Sequence, residues 1–402
     1  MVIAITGDPL GEPEIVTFQS SDILSSSTGT DTLVIDGHND PVELGPELAD
    51  LVALSGVSII RFADNNAVPL STRLGENGYN LELTNRPVGD NDFFIWPMII
   101  NDNDSANDLP NGGDTVGSVR ESGVTINARH LNSLNIFFYD GEEGLSRTTD
   151  RFIFSDASLT DDQIIDGGAV DNLSNTASAN LDVLEIRNDA LITSGDLANI
   201  ENVGIIAGTN DQTFQQIFNL DLTDIIIDQL VDSYHTASIA EPEAVTVRMN
   251  NVADLPAPAA PAILNLDLSS LTKQSTVNVE LDGGFFAQDA IRLSPNSRVE
   301  ITNFKTSIVD SGSHDVIHLS QSQFAVSPVD LGSNNTLASE DFLSSAGPVS
   351  PVNDNSNEAI IFDQSNGNLY YNVDGSSTGG LTLIATLVGV NDLTESDFSV
   401  LA

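Results

Sequence analysis

The stretches Ile217-Phe-Asn-Leu-Asp-Leu222, Ile263-Leu-Asn-Leu-Asp-Leu268 and Val277-Asn-Val-Glu-Leu281 decide the fold of this chain. In each of them apolar and polar residues alternate, and this period of two is typical of a strand with one buried face. Similar short runs surround them at Leu181–Ile186, Val203–Ile206, Val245–Met249, Val299–Ile301 and Val316–Leu319. The sequence therefore predicts a series of short, half-buried β-strands across the middle of the chain.

The spacing of these runs indicates how the strands are arranged. They recur every roughly 15 to 25 residues, which is about one turn of a solenoid. We therefore expect an all-β fold: an irregular parallel β-solenoid (β-helix or β-roll) with a hairpin-rich C-terminal region and few short helices. An ordinary β-sandwich with irregular loops stays open as an alternative, because the spacing is uneven.

Three regions follow from the patterns along the chain. We expect an irregular β-rich N-terminal domain over residues 1–150, a solenoid-like domain over 151–320 and a separate C-terminal region over 321–402. One helix is predicted at about 46–54. The Pro- and Ala-rich stretch 253–261 is predicted to be an extended linker or loop.

The C-terminal region contains a strong local signal. Ser365-Asn-Gly367 separates the runs Glu358–Asp363 and Asn368–Asp374, and Asn-Gly between alternating strands predicts a hairpin. Leu381–Leu387 is predicted to add a third strand. Upstream, Thr336-Leu-Ala-Ser-Glu340 resembles a capping box and predicts a short helix through Phe342.

The charge of the chain excludes several classes of partner. There are 59 acidic residues and 13 basic ones, a formal net charge of -46. Nucleic acid is not an expected partner, because binding to phosphates requires clustered cations. No apolar run is long enough for a membrane helix, so membrane insertion is not expected. So large an excess of carboxylates would repel itself, and Ca²⁺ is the cation that carboxylate oxygens prefer. A surface that only confers solubility is the alternative.

Near the N-terminus lie the stretches Ser26-Ser-Thr-Gly-Thr-Asp-Thr-Leu-Val34 and Ile35-Asp-Gly-His-Asn-Asp-Pro-Val-Glu43. They resemble the calcium-binding nonapeptide Gly-Gly-x-Gly-x-Asp-x-U-x of the repeats-in-toxin (RTX) family, in which U is a large apolar residue. Both keep the Asp and apolar positions of this nonapeptide, but both lack the leading glycine pair. Looser fragments are Gly167-Gly-Ala-Val-Asp-Asn-Leu173 and Gly312-Ser-His-Asp-Val-Ile317. The candidate calcium ligands and turn glycines are Gly29, Asp31, Asp36, Gly37, Asp40, Asp171, Asp182, Asp310 and Asp315.

The C-terminal hundred residues resemble the same family more closely. His314-Asp-Val-Ile-His-Leu-Ser320 is similar to the stretch that closes such calcium rolls. Ala359 to Gly375 is similar to the family's terminal hairpin, with Asn372 where the family has Asp. The resemblance implies an uncleaved C-terminal signal for type I secretion, and so an extracellular or cell-surface location. It fits the N-terminal segment Met1 to Pro9, which lacks the features of a signal peptide.

Motifs for catalysis are missing from the sequence. There is no cysteine, no His-Glu-x-x-His and no Gly-x-Ser-x-Gly. His314 and His318 are more simply surface residues than a metal pair. Carboxylate pairs such as Asp161-Asp162 are too common to indicate a glycosidase. We therefore expect that the chain is not an enzyme.

The leading functional expectation is a secreted structural protein. It would be a self-assembling subunit of a surface layer, filament or matrix, with Ca²⁺ as cofactor and further copies of itself as partners. An adhesin or glycan-binding module is the alternative, with cell-surface polysaccharide as partner and Phe93, Phe94 and Trp96 as a binding platform. A polysaccharide-modifying β-helix enzyme is the third possibility.

Overall fold

The chain is an all-β protein, and about 50% of the residues described are in strands. The computed structural model describes individual strands before residue 150. From residue 150 to 402 it describes the chain except for 168–181, 211–214, 232–243, 252–261, 282–287, 308–313, 330–334, 350–356 and 375–379. The predicted helix at 46–54 and the predicted linker at 253–261 lie outside the described residues.

Thirty strands follow one another along the described parts of the chain. Strands β1 to β10 are Val2–Thr6, Asp31–Asp36, Val42–Leu44, Val57–Phe62, Tyr79–Thr84, Phe93–Pro97, Val119–Arg120, Val124–His130, Phe137–Asp140 and Leu145–Ser146. Strands β11 to β20 are Arg151–Ser155, Ile164–Asp166, Val183–Arg187, Ala190–Ile192, Ile200–Glu201, Ile205–Asn210, Gln216–Asp221, Ala244–Asn251, Ala262–Asp267 and Thr276–Glu280. Strands β21 to β30 are Ala290–Arg292, Arg298–Thr302, Val316–Ser320, Pro328–Val329, Thr336–Leu337, Phe342–Ser345, Ile360–Asp363, Asn368–Asn372, Leu381–Val388 and Phe398–Leu401.

Helices are few and short in the described residues. Helix α1 is Asp224–Val231, and α2 is Gln321–Phe324. Single 3-10 turns occupy Ser339–Asp341 and Glu395–Asp397. None of the described helices has the length and apolar character needed to cross a membrane.

The chain divides into two compact units. The first contains Met1–Ile186, Gly195–Ile205 and Gln229–Ile239, and the second contains Arg187–Ser194, Ile206–Asp228 and Ala240–Ala402. The predicted boundary at 320 falls inside the second unit, where strands from both sides of it pair with each other. β22 pairs with β29, and β23 pairs with β30.

The first unit is built from parallel strands. One sheet has the strand order β1-β2-β4-β6-β9-β12-β15. A second sheet contains β3, β5, β8, β11 and β13 in that order within this unit. Examples of parallel pairs are β1–β2, β4–β6, β5–β8 and β9–β12. Parallel neighbours need long connections, which agrees with the wide spacing of these strands in the sequence.

In the second unit, the consecutive strands β16 to β23 alternate between two sheets. A six-stranded sheet has the order β14-β17-β19-β21-β23-β30. The other sheet contains, within this unit, β16, β18, β20, β22, β29, β28, β27 and β26 in that order. The recorded pairs β17–β19, β19–β21, β21–β23, β18–β20 and β20–β22 are all parallel. From β17 to β23, each strand therefore lies beside the next-but-one strand of the chain.

The core of the second unit follows from the alternation of side chains. Along the six-stranded sheet, register pairing connects the buried residues Leu220, Leu266, Ile291, Ile317 and Phe398. Along the other sheet it connects Val247, Val279, Ile301 and Leu387. Each such side chain contributes about 1.5–3 kcal/mol by its burial.

The C-terminal hairpin is confirmed. β27 and β28 pair in antiparallel register from Ile360↔Tyr371 to Asp363↔Asn368, and β29 pairs antiparallel with β28. Gly367 has φ 76°, as the predicted turn requires. The eight alternating runs in the middle of the chain are likewise strands: β13, β16, β17, β18, β19, β20, β22 and β23.

Two local predictions need correction. The short helix predicted through Phe342 is present as the 3-10 helix Ser339–Asp341 with Phe342 as its C-cap, but Thr336 does not cap it, because Thr336 and Leu337 form β25 and Ala338 is the N-cap. Conversely, helix α1 was not predicted. Thr223 Oγ1 accepts the Ile226 N–H at 3.4 Å and caps it, and Ile226 and Ile227 are buried while Ile225 is exposed.

Candidate functional site

Four buried aspartates stand directly before strands. Asp150, Asp182, Asp289 and Asp315 precede β11, β13, β21 and β23, and their exposed fractions are 0%, 2%, 2% and 1%. The residue two positions after each Asp is a fully buried apolar side chain. A buried carboxylate is costly unless it accepts hydrogen bonds, so the partners of these groups define their role.

In the second unit, the aspartates connect neighbouring strands. Asp289 Oδ1 accepts the N–H of Leu264 at 2.7 Å, and Asp315 Oδ1 accepts the N–H of Asp289 at 3.0 Å. Asp315 Oδ2 accepts the N–H of Lys305 at 2.7 Å. These bonds span 25, 26 and 10 residues of sequence, respectively. We call Asp289 and Asp315 the aspartate ladder of this unit.

The first unit repeats the arrangement. Asp182 Oδ1 accepts the N–H of Asp150 at 2.6 Å, and the N–H of Val183 returns a bond to the Asp150 carbonyl at 2.8 Å. Bonds between a carboxylate and backbone N–H groups are charge-assisted, and they hold β11 and β13 in register.

Asp397 fixes the last strand of the chain. Its Oδ1 accepts the N–H of Ser307 at 2.5 Å, and its Oδ2 accepts the N–H of Thr394 at 2.7 Å. The hydroxyls of Ser307, Thr394 and Ser396 are bonded to one another at 2.7–3.0 Å. Because Ser307 and Asp397 are 90 residues apart, these bonds join the beginning of β30 to the turn after β22.

Among the described residues, four ion pairs connect strands, turns or helix α1 to parts of the fold that are distant in the sequence. Two of them, Arg151 with Glu185 and Lys273 with Asp228, are close contacts. Arg248 Nε lies 2.7 Å from Glu280 Oε2, and Arg292 Nη1 lies 3.2 Å from Asp267 Oδ2. Glu185 is completely buried, whereas the other three pairs are partly exposed. The cations in these pairs thus hold structural elements together.

Helix α1 is hydrogen-bonded to the turn that precedes β20. Asp224 Oδ2 accepts both the N–H and the hydroxyl of Thr272, at 2.7 and 2.6 Å, and Asp224 Oδ1 accepts the Ser275 hydroxyl at 3.1 Å. Burial alone would raise the pKa of Asp224, but these hydrogen bonds outweigh it and lower the pKa below 3.8. The ionised carboxylate is therefore the form that this turn requires.

A row of charged residues crosses the outer face of the six-stranded sheet. Register pairing places Asp221, Asp267, Arg292 and His318 side by side on β17, β19, β21 and β23. Burial and the neighbouring Asp267 raise the pKa of Asp221 above 3.8. Burial and the neighbouring Arg292 lower the pKa of His318 below 6.5, although Asp267 opposes this effect. This row therefore places two carboxylates, a guanidinium and an imidazole side by side on the sheet.

The predicted calcium ligands and turn glycines fall into three groups. Gly29, Gly37, Asp40, Asp171 and Asp310 lie outside the described residues. Asp31 and Asp36 are the first and last residues of β2, which is described by its backbone. Asp182 and Asp315 are buried in separate places, and their carboxylates accept backbone N–H groups. Each oxygen of Asp315 accepts one backbone N–H group, and the assignment of Asp182 and Asp315 as calcium ligands stays a prediction.

Within the described part of the chain, no three His, Cys, Asp or Glu side chains come together in an arrangement that could hold a metal ion. Comparison with known proteins adds no further assignment. No protein-family model matches the chain, and no match is found among curated proteins or solved structures.

Sequence reasoning missed the role of the buried aspartates. It singled out Asp182 and Asp315 as ligands and passed over Asp150, Asp289 and Asp397. A common signal was present, because Asp150-Arg-Phe, Asp182-Val-Leu, Asp289-Ala-Ile and Asp315-Val-Ile each place Asp two residues before an apolar strand residue. Asp at the start of an alternating run indicates a carboxylate that bonds to the backbone at the strand entrance.

Proposed function

We propose that this chain is a secreted structural protein built as an irregular parallel β-solenoid, which associates with further copies of itself in the presence of Ca²⁺. Its charged side chains carry the proposal. Arg151, Arg248, Lys273 and Arg292 pair with carboxylates on neighbouring structural elements, and buried aspartates bond to backbone amides. These groups stabilise the stacking of strands, as is expected of a scaffold.

The solenoid arrangement is supported by the pairing in the second unit. Strands β16 to β23 alternate between two sheets, and the neighbours from β17 to β23 are parallel. Leu281 and Asn303, which are bonded across neighbouring strands, are 22 residues apart, and Asp289 and Asp315 are 26 residues apart. Such intervals suit one coil of a solenoid, with longer coils where α1 is inserted. The antiparallel hairpin β27–β28 departs from this regularity at the C-terminal end of the chain.

The role of Ca²⁺ in the proposal rests on net charge. The formal charge of -46 must be neutralised before two copies can approach. A divalent cation can neutralise carboxylates and also bridge the acidic surfaces of two copies, whereas Na⁺ only screens them. An ion that bridges two copies must be reached by carboxylates of both, so we place the bridging ions on exposed carboxylates.

Assembly is tested with the purified full-length protein. Light scattering followed by negative-stain electron microscopy compares millimolar CaCl₂ with NaCl and MgCl₂ at matched ionic strength. We expect ordered polymers in CaCl₂ and the starting species in NaCl. A protein whose mass in CaCl₂ equals that in NaCl would contradict self-assembly. In that case, binding to an array of surface polysaccharides would be the test of the adhesin alternative.

The extracellular location is a separate part of the proposal, and it rests on the resemblance of the C-terminal hundred residues to RTX proteins. The test fuses residues 321–402 to a soluble passenger protein in a bacterial host that has a type I secretion system. We expect the passenger to reach the medium only when the transporter is present. Retention of the fusion inside these cells, while an established type I substrate is secreted, would refute this part.

A further inference from the structure

The outer edge of β30 is the end of the six-stranded sheet. β30 pairs with β23 along one edge only, and it is the terminal strand in the sheet order. Successive N–H groups of a strand point to opposite edges, so those of Phe398 and Val400, two residues apart, point to the same edge. An uncovered edge of this kind is a template for a strand from another molecule.

Both of these N–H groups already donate hydrogen bonds to carbonyl groups of the same chain. Phe398 donates to the carbonyl of Glu395, which belongs to the 3-10 turn before β30. Val400 donates to the carbonyl of Asn335 at 2.8 Å. Asn335 directly precedes β25, and it has φ 37°, in the left-handed region. The Asn335 carbonyl, which accepts the Val400 N–H at the edge of the sheet, therefore belongs to a residue in a backbone conformation that is unusual for a non-glycine residue.

A small hairpin holds this carbonyl in place. β24 and β25 pair in antiparallel register, with Pro328 opposite Leu337 and Val329 opposite Thr336. The Ala338 N–H donates to the Ser327 carbonyl at 3.1 Å, and the Ser327 N–H donates to Asp341 Oδ2 at 2.7 Å. We call Ser327–Val329 and Asn335–Ala338 together the edge cover.

The composition of the edge cover suits a blocking role. Leu337 and Ala338 are buried, so the cover is anchored by apolar contacts. Pro328 has no N–H group, so its strand offers no donor at that position to a further strand. Phe342, which follows the cover, packs against Phe398 of β30 with ring centroids 5.1 Å apart.

We propose that the edge cover is an autoinhibitory contact, which prevents β30 from pairing with a β-strand of a second copy of this chain. Displacing it frees the Val400 N–H at the end of a sheet whose buried row, Leu220 to Phe398, already runs in register across five strands. A second copy brings β-strands of the same alternating pattern, so the sheet can continue across the two molecules. Pairing at this edge of β30 does not depend on the calcium-driven assembly proposed above.

The test displaces the cover by changing Asn335. Asn335→Pro forces φ to about -65° and so removes the left-handed conformation. Asn335→Gly is the matched control, because glycine adopts positive φ without strain. Masses are measured by size-exclusion chromatography with light scattering, in chelator and about 0.15 M NaCl to shorten the range of repulsion. We expect at least a doubling of mass for Asn335→Pro and the wild-type mass for Asn335→Gly.

A second change identifies the edge that pairs. Val400→Pro removes the N–H that the cover otherwise occupies, so combining it with Asn335→Pro is expected to restore the wild-type mass. Asp341→Ala loosens the cover more mildly, because it removes the acceptor of the Ser327 N–H. It replaces Asn335→Pro in these measurements if circular dichroism shows that Asn335→Pro is unfolded. Folded variants with the wild-type mass, or association that persists with Val400→Pro, would overturn the proposal. Because chelator is present throughout, failure of calcium-driven assembly has no bearing on this result.

Discussion

The carboxylate of Asp315 accepts the backbone N–H of Asp289 at 3.0 Å, although the two residues are 26 positions apart. Asp289 repeats the contact with Leu264 at 2.7 Å. The carboxylate that stands before one strand is therefore bonded to backbone in or directly before the neighbouring strand of the same sheet. Backbone N–H groups thus satisfy these buried carboxylates.

The aspartate ladder predicts a stability loss that is independent of calcium. Asp315→Ala leaves the N–H groups of Asp289 and Lys305 without their acceptor, at a cost of about 2–4 kcal/mol. Asp315→Asn keeps one side-chain acceptor and should cost less. Urea denaturation in chelator and in CaCl₂ provides the measurement, and we expect the same loss in both. A loss seen only in CaCl₂ would instead assign Asp315 as a ligand.

Gly367 and Gly389 form a matched pair for the C-terminal hairpin. Both have positive φ, 76° and 79°, so either Gly→Ala change costs about 1–2 kcal/mol in backbone strain. A Cβ on Gly367 would lie 2.3 Å from the Leu387 carbonyl oxygen, whereas one on Gly389 would have no heavy atom within 4 Å. We expect Gly367→Ala to cost about 1–3 kcal/mol more than Gly389→Ala. Equal thermal midpoints for the two variants would contradict the close contact with Leu387.

His318 predicts a loss of stability in mild acid. Burial and Arg292 lower its pKa in the folded protein below the ordinary 6.5, so the unfolded chain binds the proton more readily. Stability should fall as the pH drops below 6.5, and the loss should be complete below the pKa of the folded state. His318→Gln should flatten this part of the pH dependence. A histidine NMR titration gives the pKa directly, and a value above 6.5 would be inconsistent with this interpretation.

Asp221 predicts the opposite dependence. Burial and the neighbouring Asp267 raise its pKa above 3.8, so the folded state holds the proton more firmly than the unfolded chain does. Its destabilising effect is therefore fully present above the raised pKa, and it is relieved as the pH falls towards 3.8. Asp221→Asn should raise the thermal midpoint slightly at pH 7, since solvent screens this partly exposed group. The gain should disappear near pH 4, and an equal gain at both pH values would show that charge is not its cause.

Some parts of the candidate site could be predicted from sequence and others could not. Alternation of apolar and polar residues located Val316–Leu319 as a strand, and it placed Asp315 directly before that strand. The choice between a metal ion and a backbone amide as the partner of Asp315 depends on residues 10 and 26 positions away, Lys305 and Asp289. The row from Asp221 to His318 likewise arises only when four strands pair in register.

By itself, the sequence determined the all-β character, the strands in the middle of the chain, the Asn366-Gly367 turn and the excess of negative charge. These properties are local or additive, because a period of two, a turn residue or a sum of charges needs no knowledge of distant contacts. Only the tertiary structure decided which strands are neighbours, what the buried aspartates bond to and how the edge of β30 is covered. Parallel neighbours are joined through long connections: Asn219 and Asn265, which are hydrogen-bonded on adjacent strands, are 46 positions apart in the sequence. Which strands pair is therefore decided by the burial of side chains across the whole sheet.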